Sequence, residues 1–214
     1  MNILVSDFDG TLTQYDFFDQ VRKRWPIPPE VDPWHKFLAG EITHFEALAG
    51  IFSQIRASEA DLRELMQSME LDPRLAESMK ALQEKGWDVI IASAGCDWYI
   101  RRLLEGAGVS VPLHANPGRF SPDHGLIMSF PADARFRSST TGIDKVAVVR
   151  DAIQHADQVA FAGDGPPDLP AALLVKSEFR FARGWLANAL REQCEAFHPF
   201  HHWSEIADQL PRLA

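Results

Sequence analysis

The chain has 214 residues, long enough for one large domain or a core that carries an insertion, and its 46% hydrophobic and 24% charged content is that of a globular protein with a real core. A formal charge of −9, with no Lys/Arg run that offers a surface tracking a phosphate backbone, speaks against a nucleic-acid partner. No stretch reaches the roughly 18 apolar residues of a membrane span, and Cys96 and Cys194 are too few for a disulfide framework, so a cytoplasmic protein with reduced thiols and no membrane partner is expected.

The first stretch, Asn-Ile-Leu-Val-Ser-Asp-Phe-Asp-Gly-Thr-Leu-Thr, runs from Asn2 to Thr13. The apolar run Ile3 to Val5 stops at two carboxylates one residue apart, Asp7 and Asp9, and Gly10 then lets the backbone turn. Such a run reads as a buried parallel strand. In open α/β sheets ligands gather at the carboxyl ends of strands, so acids delivered there point to a hard cation and an oxyanion. The plainer reading is a turn that favours Asp and Gly.

Residues 16–25 are amphipathic, with Phe17, Phe18, Val21 and Trp25 at helical spacing. Pro26, Pro28 and Pro29 break that helix, and Asp32-Pro33 reads as the cap and first residue of a second, ended by Gly40. Thr43 and Glu46 form a capping box for a third helix carrying Phe45, Leu48, Ile51 and Phe52. Residues 58–69 make a fourth, with Glu59 and Asp61 where the helix dipole favours acids. Residues 15–71 therefore read as a small helical unit inserted after the first strand. Alternation resumes with a helix over 73–85, a strand over 87–92 ending at Ser93-Ala94-Gly95, and a helix over 97–104. Residues 109–130 suggest a small antiparallel hairpin. A helix over 141–155, a strand over 158–162 ending in Gly163-Asp164-Gly165, a helix over 167–174, a strand over 178–182 and closing helices complete the pattern. The expectation is a Rossmann-like, doubly wound parallel α/β sheet, with a core of 1–14 and 72–214 and a helical-bundle domain of 15–71.

Polar residues follow three separate strands: Asp7 and Asp9, then Ser93, then Asp164 and Asp168. Lys145 stands near the start of a helix, an awkward place for a cation since the helix N-terminus is already positive; it is easier to understand facing an anion, although taken alone a solvated lysine is the plainer reading. This set resembles the haloacid dehalogenase superfamily. Asp7-Phe8-Asp9-Gly10-Thr11-Leu12-Thr13 matches its first motif, Ser93 its second, Lys145 its third and Gly163-Asp164-Gly165-Pro166-Pro167-Asp168 its fourth, in the family's order. The helical insert is similar to the cap of the phosphoserine phosphatase-like subgroup.

The resemblance implies a phosphatase for a small phosphorylated metabolite, with Asp7 as nucleophile forming an aspartyl-phosphate and Asp9 as acid and base. It further implies Mg²⁺ held by Asp7, the Asp9 backbone carbonyl and Asp164, with Asp168 nearby. Ser93, Lys145 and backbone N–H groups around Gly10 and Gly95 would take the phosphoryl oxygens. Charge counting agrees: four aspartates and one lysine need a divalent cation, and all-oxygen ligands favour Mg²⁺ over zinc.

In phosphoserine phosphatases a Glu after the first motif and an Arg in the cap read the amino acid. Here Asp16 and Phe52 align with those positions, and the next arginine is Arg56. The chain more closely resembles the methionine-salvage phosphatases acting on 2-hydroxy-3-keto-5-methylthiopentenyl-1-phosphate, through Asp97 and the aromatics that follow it and through Phe181-Ala182-Arg183-Gly184-Trp185-Leu186. It lacks the cysteine-rich run that some members carry before Lys145. Asp16, Phe45 and Phe52 are the specificity candidates, although cap aromatics more often form the cap's own core. Phosphoserine phosphatase and a catalytically silent ligand-binding protein are the competing readings, and a monomer or homodimer is expected. The cluster Phe197-His198-Pro199-Phe200-His201-His202-Trp203 lacks metal-ligand spacing, and Cys96 has no base beside it.

Overall fold

The computed structural model describes residues 1–213. Its first element, β1 (Asn2–Ser6), is followed by four short helices, α1 (Phe17–Arg24), α2 (Pro33–Leu38), α3 (His44–Phe52) and α4 (Glu59–Gln67). Next come α5 (Leu75–Glu84), β2 (Trp87–Cys96), α6 (Asp97–Gly106), β3 (Leu113–Asn116), and a hairpin of β4 (Gly118–Ser121) and β5 (Gly125–Met128). A short ladder of β6 (Arg137–Ser138) with β7 (Gly142–Ile143) precedes α7 (Lys145–His155) and β8 (Gln158–Gly163). Then α8 (Leu169–Ala172), β9 (Arg180–Ala182), α9 (Gly184–Glu192), β10 (His198–Pro199) and α10 (Trp203–Gln209) close the chain.

The main sheet has the order β10-β9-β8-β1-β2-β3, and every neighbouring pair is parallel. From β1 the chain moves to β2 on one side and later returns to β8 on the other. The order therefore reverses at β1, which opens a crevice beyond its carboxyl end. Side chains alternate across the sheet: Leu4 belongs to the apolar cluster that includes Leu75, Met79 and Ile206, while Ile3 and Val5 belong to the one that includes Val148, Val149 and Leu186. Both faces of β1 are thus buried under helices, as its unbroken apolar run requires.

The four helices after β1 start where short polar side chains satisfy free N–H groups. Asp16 accepts from Phe18 N (2.6 Å) and Asp32 from Trp34 N (2.9 Å). Capping boxes join Thr43 with Glu46 and Ser58 with Asp61, each cap worth about 1 kcal/mol. Their chain leaves and rejoins the core at one neck: Thr13 bridges Leu71, Gln14 N donates to Met69 O (3.0 Å), and Asp72 N donates to Leu12 O (3.0 Å). Phe17 and Phe52 continue the apolar cluster of Phe8 and Leu12. The segment also rests on the hairpin region, where Phe45 stacks on Phe130 at 4.0 Å and Phe45 N donates to Thr140 O (2.8 Å). No helix among the described residues is long and apolar enough to cross a membrane.

Several boundaries differ from the sequence reading. β2 continues to Cys96, so Ser93 and Gly95 lie on an extended strand end rather than in a turn. Leu113–Asn116 pairs with β2 as a sheet strand, and only residues 118–128 form the hairpin. α7 begins at Lys145, not near residue 141, because Gly142 and Ile143 pair with β6 and Asp144 accepts from Ala147 N (3.0 Å). Residues 166–168 and 177–179 are tight 3₁₀ turns, which shortens the helix and the strand expected there.

Candidate active site

The ends of β1, β2 and β8 and the first residue of α7 converge at the crevice. Lys145 is buried and its Nζ donates to Asp7 Oδ1 (2.8 Å) and Asp168 Oδ1 (2.6 Å). The anion that makes sense of its place in the helix is therefore a pair of carboxylates. Asp7 Oδ1 also accepts from Phe8 N (2.7 Å), and Asp7 N donates to Ala162 O (2.9 Å), which fixes the residue to β8. Asp168 commits its second oxygen to Asp164 N (3.1 Å) and Gly165 N (2.9 Å). With both oxygens engaged, Asp168 holds Lys145 and the loop after β8 in place. Asp164 Oδ1 accepts from Thr11 Oγ1 (2.9 Å).

Oxygen atoms of Asp7, Asp164 and Asp168 lie within 4.8 Å of one another. Three carboxylates face one ammonium, and the imbalance appears in their titration. Burial, then the charge of Asp168, pushes Asp7 well above the usual carboxylate range. The same two causes raise Asp164 to about 7. Burial opposes the charge on Lys145, yet Asp168 and Asp7 outweigh it and its pKa is raised. An all-oxygen, electron-rich cluster short of positive charge suits a hard divalent cation, held by Asp7 and Asp164 with Asp168 behind them. The Asp9 carboxylate is not part of this trio, so of Asp9 only the backbone carbonyl remains for such an ion.

Asp9 instead faces the end of β2. Its Oδ2 accepts from Tyr99 OH (2.7 Å) and Ser93 Oγ (3.2 Å), and its Oδ1 from Phe17 N (3.3 Å). Burial raises its pKa, and these three hydrogen bonds pull part of the way back. Sequence reasoning missed Tyr99. The available signal was an aromatic pair after Asp97, of which the phenol is the one that needs a buried partner.

Gly10 and Gly95 serve differently from expectation. Gly10 N donates to Thr13 Oγ1 (3.1 Å) and Gly95 N to Ser93 Oγ (2.9 Å), so neither N–H is free for a phosphoryl oxygen. What these positions need is space. At Gly10, with φ +67°, a Cβ would run into the Asp164 carboxylate, and at Gly95 it would lie 2.6 Å from Asp9 Oδ2.

A cavity of about 900 Å³ extends from these groups toward the helical segment. Asp7, Asp9, Ser93, Gly95, Lys145 and Asp164 line it from the core, and Asp16, Phe18, Trp34, His44 and Phe52 line it from the helical segment. Of the three specificity candidates, Asp16 and Phe52 reach it. Asp16 caps α1, and its pKa is raised well above normal by burial and then by Asp9. Phe45 does not line the cavity, because it is committed to Phe130. Arg56 is no substitute for a carboxylate reader either: its Nη1 donates to Ser53 O (2.7 Å) and Ile55 O (3.1 Å). His44, which the sequence did not single out, is held neutral; burial and then the charge of Lys145 lower its pKa to about 4.

The remaining candidates have structural roles. Burial pushes the Cys96 thiol up to about 12, far from a reactive thiolate. Among the described residues the histidines at 198, 201 and 202 form no metal-ligating trio. Arg183 donates to the backbone oxygens of Gln14 (2.9 Å) and His201 (2.7 Å), tying the neck to the C-terminal region.

Comparison with known proteins places this geometry. Residues 4–173 match the haloacid dehalogenase-like hydrolase family. A 2-hydroxy-3-keto-5-methylthiopentenyl-1-phosphate phosphatase of Bacillus thuringiensis is 23% identical over 210 residues, covering 97% of this chain and 94% of its own. A probable phosphoserine phosphatase of Vibrio cholerae has the same fold (TM-score 0.70, 19% identity, covering 99% of this chain and 65% of that one). So has a phosphoserine phosphatase solved as a phospho-aspartyl intermediate analogue (TM-score 0.63, 17% identity, covering 96% and 97%).

Proposed function

This chain belongs to the haloacid dehalogenase-like hydrolase family and is a phosphatase, and we propose that it is Mg²⁺-dependent, works through an aspartyl-phosphate on Asp7 and acts on a small phosphorylated metabolite. The observation that carries this reading is Lys145, buried between Asp7 and Asp168, with Asp164 beside them. Mg²⁺ held by Asp7 and Asp164 would neutralise charge developing on the phosphoryl oxygens.

The residues of the chain supply the remaining chemistry. Asp7 Oδ1 is held by Lys145 and Phe8, leaving Oδ2 to attack phosphorus in line. As the new O–P bond forms, the bond to the leaving oxygen breaks and that oxygen takes a proton from Asp9. Asp9 then removes a proton from water, whose oxygen attacks phosphorus and frees Asp7. Burial keeps Asp9 protonated to higher pH than an exposed acid, which suits the first step. Ser93 and Lys145 line the cavity from the core, where they hold the phosphoryl group. Residues 15–71 act as a cap over the core of 1–14 and 72–214, a reading supported by the single neck and by the cavity between the two.

The substrate proposed is 2-hydroxy-3-keto-5-methylthiopentenyl-1-phosphate, on the Bacillus relative and the apolar cavity wall of the helical segment. Phosphoserine suits it less, because among the described residues no arginine lines the cavity to pair its carboxylate.

Chelation tests the metal. EDTA should silence turnover of p-nitrophenyl phosphate and Mg²⁺ should restore it; indifference to EDTA removes the ion from the mechanism. Stability offers a second readout. The folded pKa of Asp164, about 7, lies above its ordinary 3.8. Its contribution is therefore fully present below the unfolded value and lost as pH rises from about 4 through 7. A cation binds the ionised form, so the Tm gain from Mg²⁺ should be larger at about pH 8 than at about pH 5. Equal gains would place the ion elsewhere. Tyr99→Phe removes a hydrogen bond that favours ionised Asp9, so the pH–rate limb belonging to Asp9 should move to higher pH. A profile superimposable on the unmodified enzyme would detach Tyr99 from Asp9.

A further inference from the structure

Leu38 is 67% exposed and Trp185 47% exposed, and both line the cavity that leads to Lys145. Singly such exposure is ordinary. Here, however, the two share a concave surface with Phe18, Trp34 and Phe37. Trp34 has its ring 4.2 Å from Phe18 and 4.9 Å from Phe37, so the three make one continuous wall. Trp185 belongs to the core and is placed by the reaction centre itself. Leu186 N donates to Asp164 O (2.8 Å), which clamps the first turn of α9 to the residue that helps form the acid trio.

The charges along the same surface are one-sided. Lys145 is the one cation lining the cavity among the described residues, and it is engaged by Asp7 and Asp168. His44 is neutral. The acids of the helical segment are occupied or hydrated: Asp16 and Glu46 cap helices, while Asp19 and Glu41 are exposed. Among the described residues, the cavity wall from the helical segment therefore offers apolar area and no second cation, and its one desolvated carboxylate, Asp16, has Oδ1 committed to Phe18 N.

Resting on the phosphatase reading, we infer that the leaving alcohol carries an uncharged, apolar body that packs between Trp185 of the core and the Phe18–Trp34–Phe37–Leu38 wall. Trp185 and Leu38 are then specificity-determining residues, left exposed because the substrate covers them.

A series of alkyl phosphates from methyl to hexyl tests this in the full-length protein with Mg²⁺. kcat/KM should rise about fourfold per methylene while the body is being covered. The hexyl-to-methyl ratio should fall about tenfold in Trp185→Ala and in Leu38→Ser. An ω-carboxylate on the hexyl chain should cost at least about tenfold, because no cation meets it. Choline phosphate should not exceed its uncharged isostere, neohexyl phosphate. A flat series, a tolerated carboxylate, a ratio untouched by both variants, or choline phosphate ahead by tenfold each overturns the inference. Calorimetric binding of methyl- and hexylphosphonate gives the same comparison without turnover. If no phosphate ester is hydrolysed the phosphatase reading fails, and the phosphonates still decide whether the apolar cleft exists.

Discussion

Asp7→Asn is expected to lower kcat for p-nitrophenyl phosphate by about 1,000-fold or more. The amide keeps the shape of the carboxylate, and its carbonyl oxygen can still accept from Phe8 N and Lys145 Nζ. What it loses is the charge that makes the oxygen a nucleophile. The variant should also fold. Asp7 is one of three buried carboxylates sharing one lysine, and its pKa is driven up by burial and by Asp168. Removing a charge from an overcharged cluster should leave Tm, measured without Mg²⁺, unchanged or higher. Lost turnover with retained Tm separates a chemical failure from a structural one. Substantial residual turnover would mean that another group attacks phosphorus.

Lys145→Met should instead fail structurally. Lys145 has 4% of its side chain exposed and faces carboxylates exposed by 9% and 0%. Truncating one partner of a buried pair costs about 3–5 kcal/mol, because the remaining charge stays buried without compensation. For a chain of this size that corresponds to a Tm lower by about 10 °C. The loss should shrink in acid, since protonating Asp7 and Asp164 removes the repulsion that Lys145 had offset. A thermal melt within a few degrees of the unmodified protein at neutral pH would mean that Lys145 does not hold the cluster together.

The inner site was legible in the sequence because its residues form a set. Acids ending a buried strand, and a lysine at a helix start, each have a plain local reading as a turn or a solvated side chain, but together and in the family's order they point to partners from elsewhere in the chain. Those partners are Lys145 for Asp7 and two carboxylates for Lys145. The sheet was legible for a simpler reason, since apolar runs alternating with amphipathic stretches leave few topologies. Other features were opaque because they depend on direction rather than residue type. Nothing local says that Phe45 turns toward Phe130 while Trp34 and Phe37 turn toward the cavity. Nor does spacing reveal that the N–H groups of Gly10 and Gly95 are taken by neighbouring hydroxyls. The extension of β2 past Ala92 was hidden by Ser93 and Gly95, which look like a turn until Asp9 and Tyr99 fill the space beside them.

The bridge between Thr13 and Leu71 brings two points 58 residues apart in sequence onto adjacent backbone. Everything between them hangs like a pendant from this one clasp of backbone, and it leans on the core again where Phe45 meets Phe130 and Thr140 and where Phe17 N donates to Asp9. Lengthening, shortening or exchanging that pendant would leave every strand connection of the sheet as it is, because none of the six strands lies within it. On the proposed reading of residues 15–71 as a cap, selection could rework which alcohol is accepted while the acids and lysine of the core stay fixed. A chimera that receives a relative's pendant at these two residues should inherit the donor's preference, provided the donor supplies an N–H to Asp9 as Phe17 does.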